Sequence, residues 1–424
     1  MALRKLLIVS YHFPPSAASG SFRLLGFVRH LPKFGWETSV VAPPRLPWEP
    51  TDEGLLARVP PGTRIHHVRY PEGLFWKPVR KVAMLEMWLP FAWAAIRRVI
   101  RRENVDAVLT SGPPHAVHLL GMWLRRREDL LWAADFRDPW NTGDPTCLAT
   151  SYRGWERRAE VSVMREADLI VANSPGALEL LAGAHPEHRR KMRSITNGYD
   201  AEAFLEAPAR AGAGPTLEIV HTGEIYANRD PRPLLEAIGS LAPGGRSGEK
   251  SIRLRFIGRE GDTGRQFREL AAARGLGHLV EFVGQLPYSR AIEEMTRADV
   301  LLLLDTPGRR AGVPAKLFEY IGAGRPILAL AEPGSDTATI LRESGAMHRV
   351  APPLDPTAIG RALADLIGEL RLRADEPPAA GDRGRFTREA LAADLARVLD
   401  SGLDGTARPP SDRLLVPMPA ESIP

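Results

Sequence analysis

Only one cysteine, Cys147, occurs in 424 residues. That excludes an internal disulfide framework and any cysteine-rich metal site, and it fits a reducing compartment. Long apolar runs are missing too. No stretch approaches the roughly 20 residues of a membrane-spanning helix. The opening MALRKLLIVSYHFPP has two basic residues and an apolar run of about six residues before His12, short of a secretory core of roughly 7–15. It reads as a first buried strand. The dinucleotide spacing G-x-G-x-x-G is absent after that strand, which disfavours a nicotinamide cofactor. There is no nucleic-acid-binding motif and no aromatic-plus-basic RNA signature, so no nucleic acid is expected as partner.

What is present is a globular composition, 44% hydrophobic and 25% charged, at a length that suits two domains of about 200 residues. The net charge of +5 is unevenly placed. Residues 1–206 hold 28 Lys and Arg against 22 Asp and Glu, while the remainder is close to neutral. Anionic partners therefore suit the first half: a membrane surface, a lipid phosphate or a polyanionic acceptor.

Short Val/Ile/Leu-rich runs alternate with helical patterns. The first half reads as strands at Leu6–Tyr11, Thr38–Ala42, Ile65–Tyr70, Asp106–Ser111, Leu130–Phe136, Leu169–Ser174 and Ser194–Asn197. The second reads as Leu217–Thr222, Ile252–Ile257, Val280–Val283, Val300–Asp305 and Ile327–Ala331. Helical segments between them include Ser21–Leu31, Phe91–Arg102, Tyr152–Glu166, Pro231–Leu241, Thr263–Arg274, Ala315–Gly322 and Pro356–Leu370. The pattern predicts an α/β protein with two Rossmann-like, doubly wound domains facing a central cleft. The boundaries are residues 1–206, an Ala/Gly/Pro linker at 207–215, a second domain at 216–384, a helix at 385–400 and a disordered tail at 401–424.

Ligands of open α/β sheets sit outside the strand carboxyl ends, so the loops after strands carry the candidates. The first is His12–Ser21, where small residues including Gly20 and Ser21 lead into a helix N-terminus suited to a phosphate or sugar hydroxyl. An ordinary strand-to-helix turn would account for it equally. After the fifth strand, ADFRDPW sets Asp135, Arg137 and Asp138 where charge is costly unless partnered or functional. Arg137 could orient a phosphate or carboxylate and Asp138 could accept a proton; an internal Arg–Asp pair is the plainer alternative. His115, in SGPPH, also follows a strand, although a lone histidine is more often structural. In the second half, HTGEIYANRDPR offers Gly223 for a tight strand exit and Arg229 and Arg232 for a diphosphate, with a solvated basic turn as the plainer alternative, above all for Arg232; Gly258 with Arg259 repeats the strand–glycine pattern. In GVPAKLFEYIGAGRPI, Lys316 and Glu319 share one helix face near its N-terminus. A carboxylate there can take both ribose hydroxyls while the ammonium faces phosphate, and a structural Lys–Glu pair is an equally simple reading of the two residues alone.

The order of the FPP loop, DFRDPW, ITNGYD, HTGEIY-to-RDP and PAKLFEYIGAGRPIL resembles the family 4 glycosyltransferases, over residues 5–370. The resemblance implies a GT-B fold and a metal-independent, retaining enzyme with no cofactor beyond its nucleotide-sugar donor, a UDP- or GDP-sugar. It implies that Glu319 binds the donor ribose, that Arg229 and Lys316 grip the diphosphate, and that Gly20 and Ser21 close over the donor. Arg137 then falls where many members place an active-site histidine, ITNGYD lies between the domains, and the late helix crosses back to the first domain. Two positions depart from the pattern. Ala311 stands where a Glu-x7-Glu motif has its first glutamate, and Glu224 stands where an arginine often follows the first glycine of the second domain. Donor contacts must be rearranged among Lys316, Arg229 and Glu224.

The reading that results is a cytoplasmic glycosyltransferase, peripheral at the inner membrane face, acting on a glycan or lipid-linked acceptor in cell-surface polysaccharide or glycoconjugate synthesis. Donor residues are Gly20, Ser21, Gly223, Glu224, Arg229, Gly258, Lys316 and Glu319; His115, Arg137 and Asp138 are the catalytic candidates, with no metal. The alternatives are a GT-B nucleotide-sugar 2-epimerase and a non-catalytic nucleotide-sugar-binding protein. WLPFAWAAIRRVIRR at Trp88–Arg102 reads as a core-packed helix with solvated arginines, or as a helix lying on an anionic membrane.

Overall fold

The computed structural model describes residues 3–44, 51–69, 81–141, 154–205, 215–241, 246–247, 250–372 and 382–405. The expected linker lies outside these residues except for Pro215, as does the chain beyond 405. A first parallel sheet comprises β1 (Arg4–Ser10), β2 (Trp36–Ala42), β3 (Arg64–His67), β4 (Ala107–Gly112), β5 (Leu131–Phe136), β6 (Leu169–Ala172) and β7 (Met192–Ser194), in the order β3-β2-β1-β4-β5-β6-β7. Around it lie α1 (Ser19–His30), α2 (Lys81–Glu103), α3 (Val117–Arg125), α4 (Gly154–Glu166) and α5 (Pro175–Ala184), with the short α6 (Ala201–Leu205) at its exit.

A second sheet comprises β8 (Thr216–Thr222), β9 (Arg246–Ser247), β10 (Lys250–Ile257), β11 (Val280–Gly284), β12 (Val300–Leu304), β13 (Ile327–Leu330) and β14 (His348–Ala351). Its parallel order is β11-β10-β8-β12-β13-β14, and β9 pairs antiparallel with β10. Its helices are α7 (Arg232–Leu241), α8 (Gly261–Ala273), α9 (Tyr288–Arg297), α10 (Lys316–Ala323), α11 (Asp336–Ser344) and α12 (Pro356–Leu372). The last helix, α13 (Arg388–Leu403), returns to the first sheet.

The central strands are covered on both faces, which is why β1 and β12 carry apolar residues at successive positions, LLIV and VLLLL, rather than at alternate ones. From β1, Leu6 and Ile8 pack with Leu24 and Val28 of α1 and Leu395 of α13, while Leu7 and Val9 meet Ile96 of α2 and Leu120 of α3. From β12, Leu302 and Leu304 meet α7 and α12, while Leu301 and Leu303 meet Leu317 and Ile321 of α10. The chain crosses between the sheets twice, and the two crossings are stitched together. Tyr199 N–H donates to Phe386 O at 3.0 Å, and Arg388 N–H donates to Tyr199 O at 2.8 Å.

Three sequence expectations are displaced. β7 occupies Met192–Ser194 rather than Ser194–Asn197, because Arg23 takes the carbonyl of Thr196 at 2.6 Å. α13 runs through Leu403, so Ser401 is helical and not the start of a disordered tail; Gly402 is buried against Leu131 and Leu169. α2 begins at Lys81, ahead of the expected Phe91, and carries Pro90 within it. Its Trp88, Leu89, Ala92, Ile96, Val99 and Ile100 are buried, as a core-packed helix requires, but Met87 and Phe91 are 44% and 47% exposed on the opposite face. Among the described residues no helix is long and apolar enough to cross a membrane.

Candidate active site

In each sheet the winding direction reverses beside the first strand, between β1 and β4 and between β8 and β12. The crevice outside such a reversal is where doubly wound sheets hold ligands. On the second sheet, β8 and β10 leave through Gly223 (φ 102°) and Gly258 (φ 155°). A Cβ at Gly258 would come 2.6 Å from the Gly223 carbonyl carbon, so the two exits touch backbone to backbone. A Cβ at Gly223 would lie 2.8 Å from Lys316 Nζ. Glycine at 258 is what lets the two exits touch, and glycine at 223 leaves room for the Lys316 ammonium beside the end of β8.

Lys316 opens α10, whose N-cap, Ala315, offers no side-chain cap to the first-turn N–H groups. Its Nζ donates to His221 Nε2 at 3.1 Å, and His221 Nδ1–H donates to Leu302 O at 2.9 Å. The second bond fixes the tautomer that leaves Nε2 free to accept. Burial, and then the Lys316 ammonium, hold His221 well below the usual imidazole range, so it is a neutral acceptor. Lys316 itself is lowered to about 7 by burial and by Arg229, against the pull of Glu319. One turn on, Glu319 is raised by burial, opposed chiefly by Arg388, whose Nη2 lies 3.0 Å from Oε1. Tyr320 locks the helix to the sheet: its hydroxyl accepts from Thr222 N–H at 2.9 Å.

Two further guanidinium groups join from neighbouring loops. Arg229 Nε donates to Thr306 Oγ1 at 3.4 Å, and the group lies 5.8 Å over the Tyr226 ring. Buried Arg309 donates through Nε to Ala311 O at 3.0 Å and sits 3.5 Å from Asp305 Oδ1. Asp305 also accepts from Thr337 Oγ1 at 2.6 Å and Thr306 N–H at 2.8 Å. From the first sheet, Arg137 donates through Nε to Gly112 O at 3.1 Å and through Nη2 to Pro113 O. Its guanidinium lies over Gly20, where any Cβ would overlap it. Asp138 ties the two halves electrostatically: burial raises its pKa, while Arg309, Arg137 and Arg229 all lower it. The loop before α10 is pinned across the cleft, since Gly312 N–H donates to Ser174 Oγ at 3.2 Å and to Asp336 Oδ2 at 2.8 Å. Asp336 Oδ1 also accepts from Gly176 N–H at 2.8 Å, at the start of α5.

Two family models divide the chain at this cleft. Residues 21–198 match the Glycosyl transferase 4-like domain and residues 216–369 match Glycosyl transferases group 1. The chain belongs to the GT-B glycosyltransferases. Among curated proteins, this glycosyltransferase is 22% identical over 226 residues to D-inositol 3-phosphate glycosyltransferase of Corynebacterium urealyticum, covering 50% of this chain. The match spans about half the length of that relative, 51%. Among solved structures, sucrose-phosphate synthase from Thermosynechococcus elongatus superposes with a TM-score of 0.67 at 17% identity, over 94% of this chain and 98% of that one. HepE from Anabaena, solved with UDP and glucose, superposes with 0.66 at 14% identity, over 94% and 100%. These likenesses show the GT-B fold.

The glycosyltransferase brings Gly223, Gly258, Arg229, Lys316 and Glu319 to one crevice, and Gly20, Arg137 and Asp138 come towards it from the other half. Three candidates sit differently. The Glu224 carboxylate is held by Arg259, at 2.8 Å from Nη2, and is thereby drawn to the rim. Ser21 is wholly buried, and its Oγ has no hydrogen-bond partner among the described residues. The His115 ring stacks with Phe136 at 5.5 Å and Trp140 at 5.3 Å. Burial there, then His118 and Arg137, press its pKa well below the ordinary value. Asp135 is a structural charge, fully buried and doubly bonded to Arg23 at 2.8 and 3.1 Å, with Ser111 Oγ donating at 2.7 Å. Residues the sequence did not single out are His221, Arg309 and Arg388. Arg309 comes after the apolar strand β12, the same signal that drew attention to Asp138, whereas His221 lies within β8 as a polar residue in a buried run. Arg388 reaches the site from 69 residues beyond Glu319 and carries no local signal.

Proposed function

We propose that this glycosyltransferase takes a sugar from a UDP- or GDP-sugar held at the second domain and passes it to an acceptor hydroxyl entering from the first. The observation that carries this reading is the convergence of Arg229, Arg309 and Lys316 beside the Gly223–Gly258 exits, with Arg137 facing them. Four cations there meet two carboxylates, Asp138 and Asp305, because Glu319 is already paired with Arg388. Once Lys316 is protonated, the surplus matches the two charges of a diphosphate diester. As the sugar–phosphate bond breaks, these fixed cations and the first turn of α10 stabilise the charge growing on the leaving diphosphate without a metal. Glu319 takes the ribose hydroxyls. Retention of configuration follows the family resemblance.

The acceptor side is assigned to Arg137 and Asp138, with His115 as a neutral ring behind them. A lipid-linked acceptor is supported by α2, where exposed Met87 and Phe91 stand beside exposed Arg98, Arg101 and Arg102, a mixture suited to an anionic membrane surface. The enzyme then works as a peripheral cytoplasmic protein in polysaccharide or glycoconjugate synthesis.

A thermal-shift screen against UDP-, GDP-, ADP- and dTDP-sugars identifies the donor, and acceptor glycosylation is then followed with Glu319→Ala alongside the parent. The variant is expected to lose donor use; near-normal turnover would sink the donor site. Formation of an epimer without any acceptor would replace transfer by epimerisation. Donor binding with no turnover under any acceptor would leave a binding protein.

A further inference from the structure

We infer that Arg388, at the start of the last helix, is a positioning residue for the donor: it holds Glu319 in the rotamer and ionised form that receive the ribose. This rests on the reading of Glu319 as the ribose ligand. Arg388 lies in α13, which packs on the first domain, yet its Nη2 reaches Glu319 Oε1 of the second at 3.0 Å, and its side chain is only 5% exposed. The rest of the side chain is clamped. Nε–H donates to Gly198 O at 3.1 Å, the guanidinium lies 5.6 Å over the Phe22 ring, and the methylenes lie against Gly26. A Cβ at Gly26 would come 2.8 Å from Arg388 Cδ, so glycine in α1 is what lets the stem through. Such clamping is unnecessary for a plain surface ion pair and is what a fixed donor needs.

The bond uses one lone pair of one carboxylate oxygen, and the backbone N–H of Glu319 takes a second site. The remaining sites stay available to two ribose hydroxyls, so Arg388 and ribose share Glu319 instead of competing for it. The groups facing Glu319 are Lys316 and Tyr320 from its own helix and Arg388 from α13. Without Arg388, burial acts on Glu319 with less opposition, and protonation takes away an acceptor lone pair.

Calorimetric titration of the full chain with UDP, GDP and ADP, and with the 3′-deoxy analogue of the best binder, tests the inference at pH 6 and pH 8. Arg388→Gln is expected to bind about ten-fold more weakly than the parent at pH 8, with a larger deficit at pH 6, and to lose preference for the 3′-hydroxyl. Arg388→Lys keeps the charge and recovers part of the loss. Adding Arg388→Gln to Glu319→Gln should add little. Gly26→Ala, which displaces the stem without touching the donor site, should reproduce a fraction of the deficit and serves where Arg388→Gln fails to fold. If Glu319→Gln weakens binding but Arg388→Gln and Gly26→Ala do not, or if their deficit is the same at both pH values, the inference falls and the donor site stands. If Glu319→Gln binds like the parent, or no nucleotide binds the parent, the donor reading falls and takes this inference with it.

Discussion

With the proposed donor site, the lowered pKa of Lys316 predicts that donor binding is a proton-coupled event. In the free enzyme burial and Arg229 bring its ammonium down to about 7. At pH 8 about one molecule in eleven then carries the charge, against about nine in ten at pH 6. A diphosphate between Lys316 and Arg229 supplies the missing countercharge and raises the pKa well above 8, so the bound state is protonated at both values. The affinity for UDP-glucose should therefore weaken about ten-fold from pH 6 to pH 8, flattening below pH 6 and falling by nearly a decade per unit above pH 8. UDP-glucose is the better probe because its phosphates do not titrate in this range. Calorimetry in buffers of different ionisation enthalpy should register uptake of about 0.9 proton at pH 8 and about 0.1 at pH 6. Lys316→Arg keeps the charge throughout and should flatten the dependence. No proton uptake at pH 8, or an unchanged slope in Lys316→Arg, would refute the reasoning. Linkage gives stability the opposite trend. A lysine held below its unfolded value of 10.5 carries its full penalty below about pH 7 and sheds it as pH rises towards 10.5. The melting temperature of the ligand-free parent should therefore gain on that of Lys316→Met across that window.

Other perturbations separate site from scaffold. Gly258→Ala must push on the Gly223 backbone from a left-handed φ, and should cost roughly 2 kcal/mol or more in urea unfolding; a loss under about 0.5 kcal/mol would show that the exits can part. Asp135→Ala strands Arg23, whose side chain is 2% exposed, and should cost about 3–5 kcal/mol by denaturant midpoint, with folding surviving only if the rest of the core has that margin. Arg309→Ala should weaken UDP-glucose binding about ten-fold while leaving the fold intact, because Asp305 keeps Thr337 and the Thr306 amide; unchanged affinity would remove Arg309 from the site.

The sheets were readable because strands covered on both faces are apolar at successive positions, as in VLLLL at β12. Helices whose buried face is narrow were not. α9 buries only Ile292 and Met295 amid charged neighbours, the buried face of α11 is half polar, with Asp336, Thr337 and Ser344 beside Ala338, Ile340 and Leu341, and the four residues of β14 include His348 and Arg349. At the site, Lys316 and Glu319 stood out because a helix places residues three apart on one face. Their partners did not, since His221 and Arg388 are set against them by tertiary packing alone. Position 135 shows the converse limit. A charged residue at a strand end signals either a ligand or a buried partner, and only the location of Arg23, 112 residues earlier, decides for the latter.

The return of α13 has a consequence for how the molecule comes into being. Leu391, Ala392, Leu395, Ala396 and Leu399 are part of the same buried cluster as Leu6, Ile8, Leu24 and Val28. The first sheet leaves the ribosome early but stays bare along one groove until residues beyond 400 have been made. The intervening sheet, built from residues 216–372, has all its strands and coverings in hand sooner. Synthesis thus runs against the usual order in which the leading domain finishes first. A fragment ending at the linker would present that groove to solvent, and adding back a peptide spanning 382–405 would be the natural way to close it.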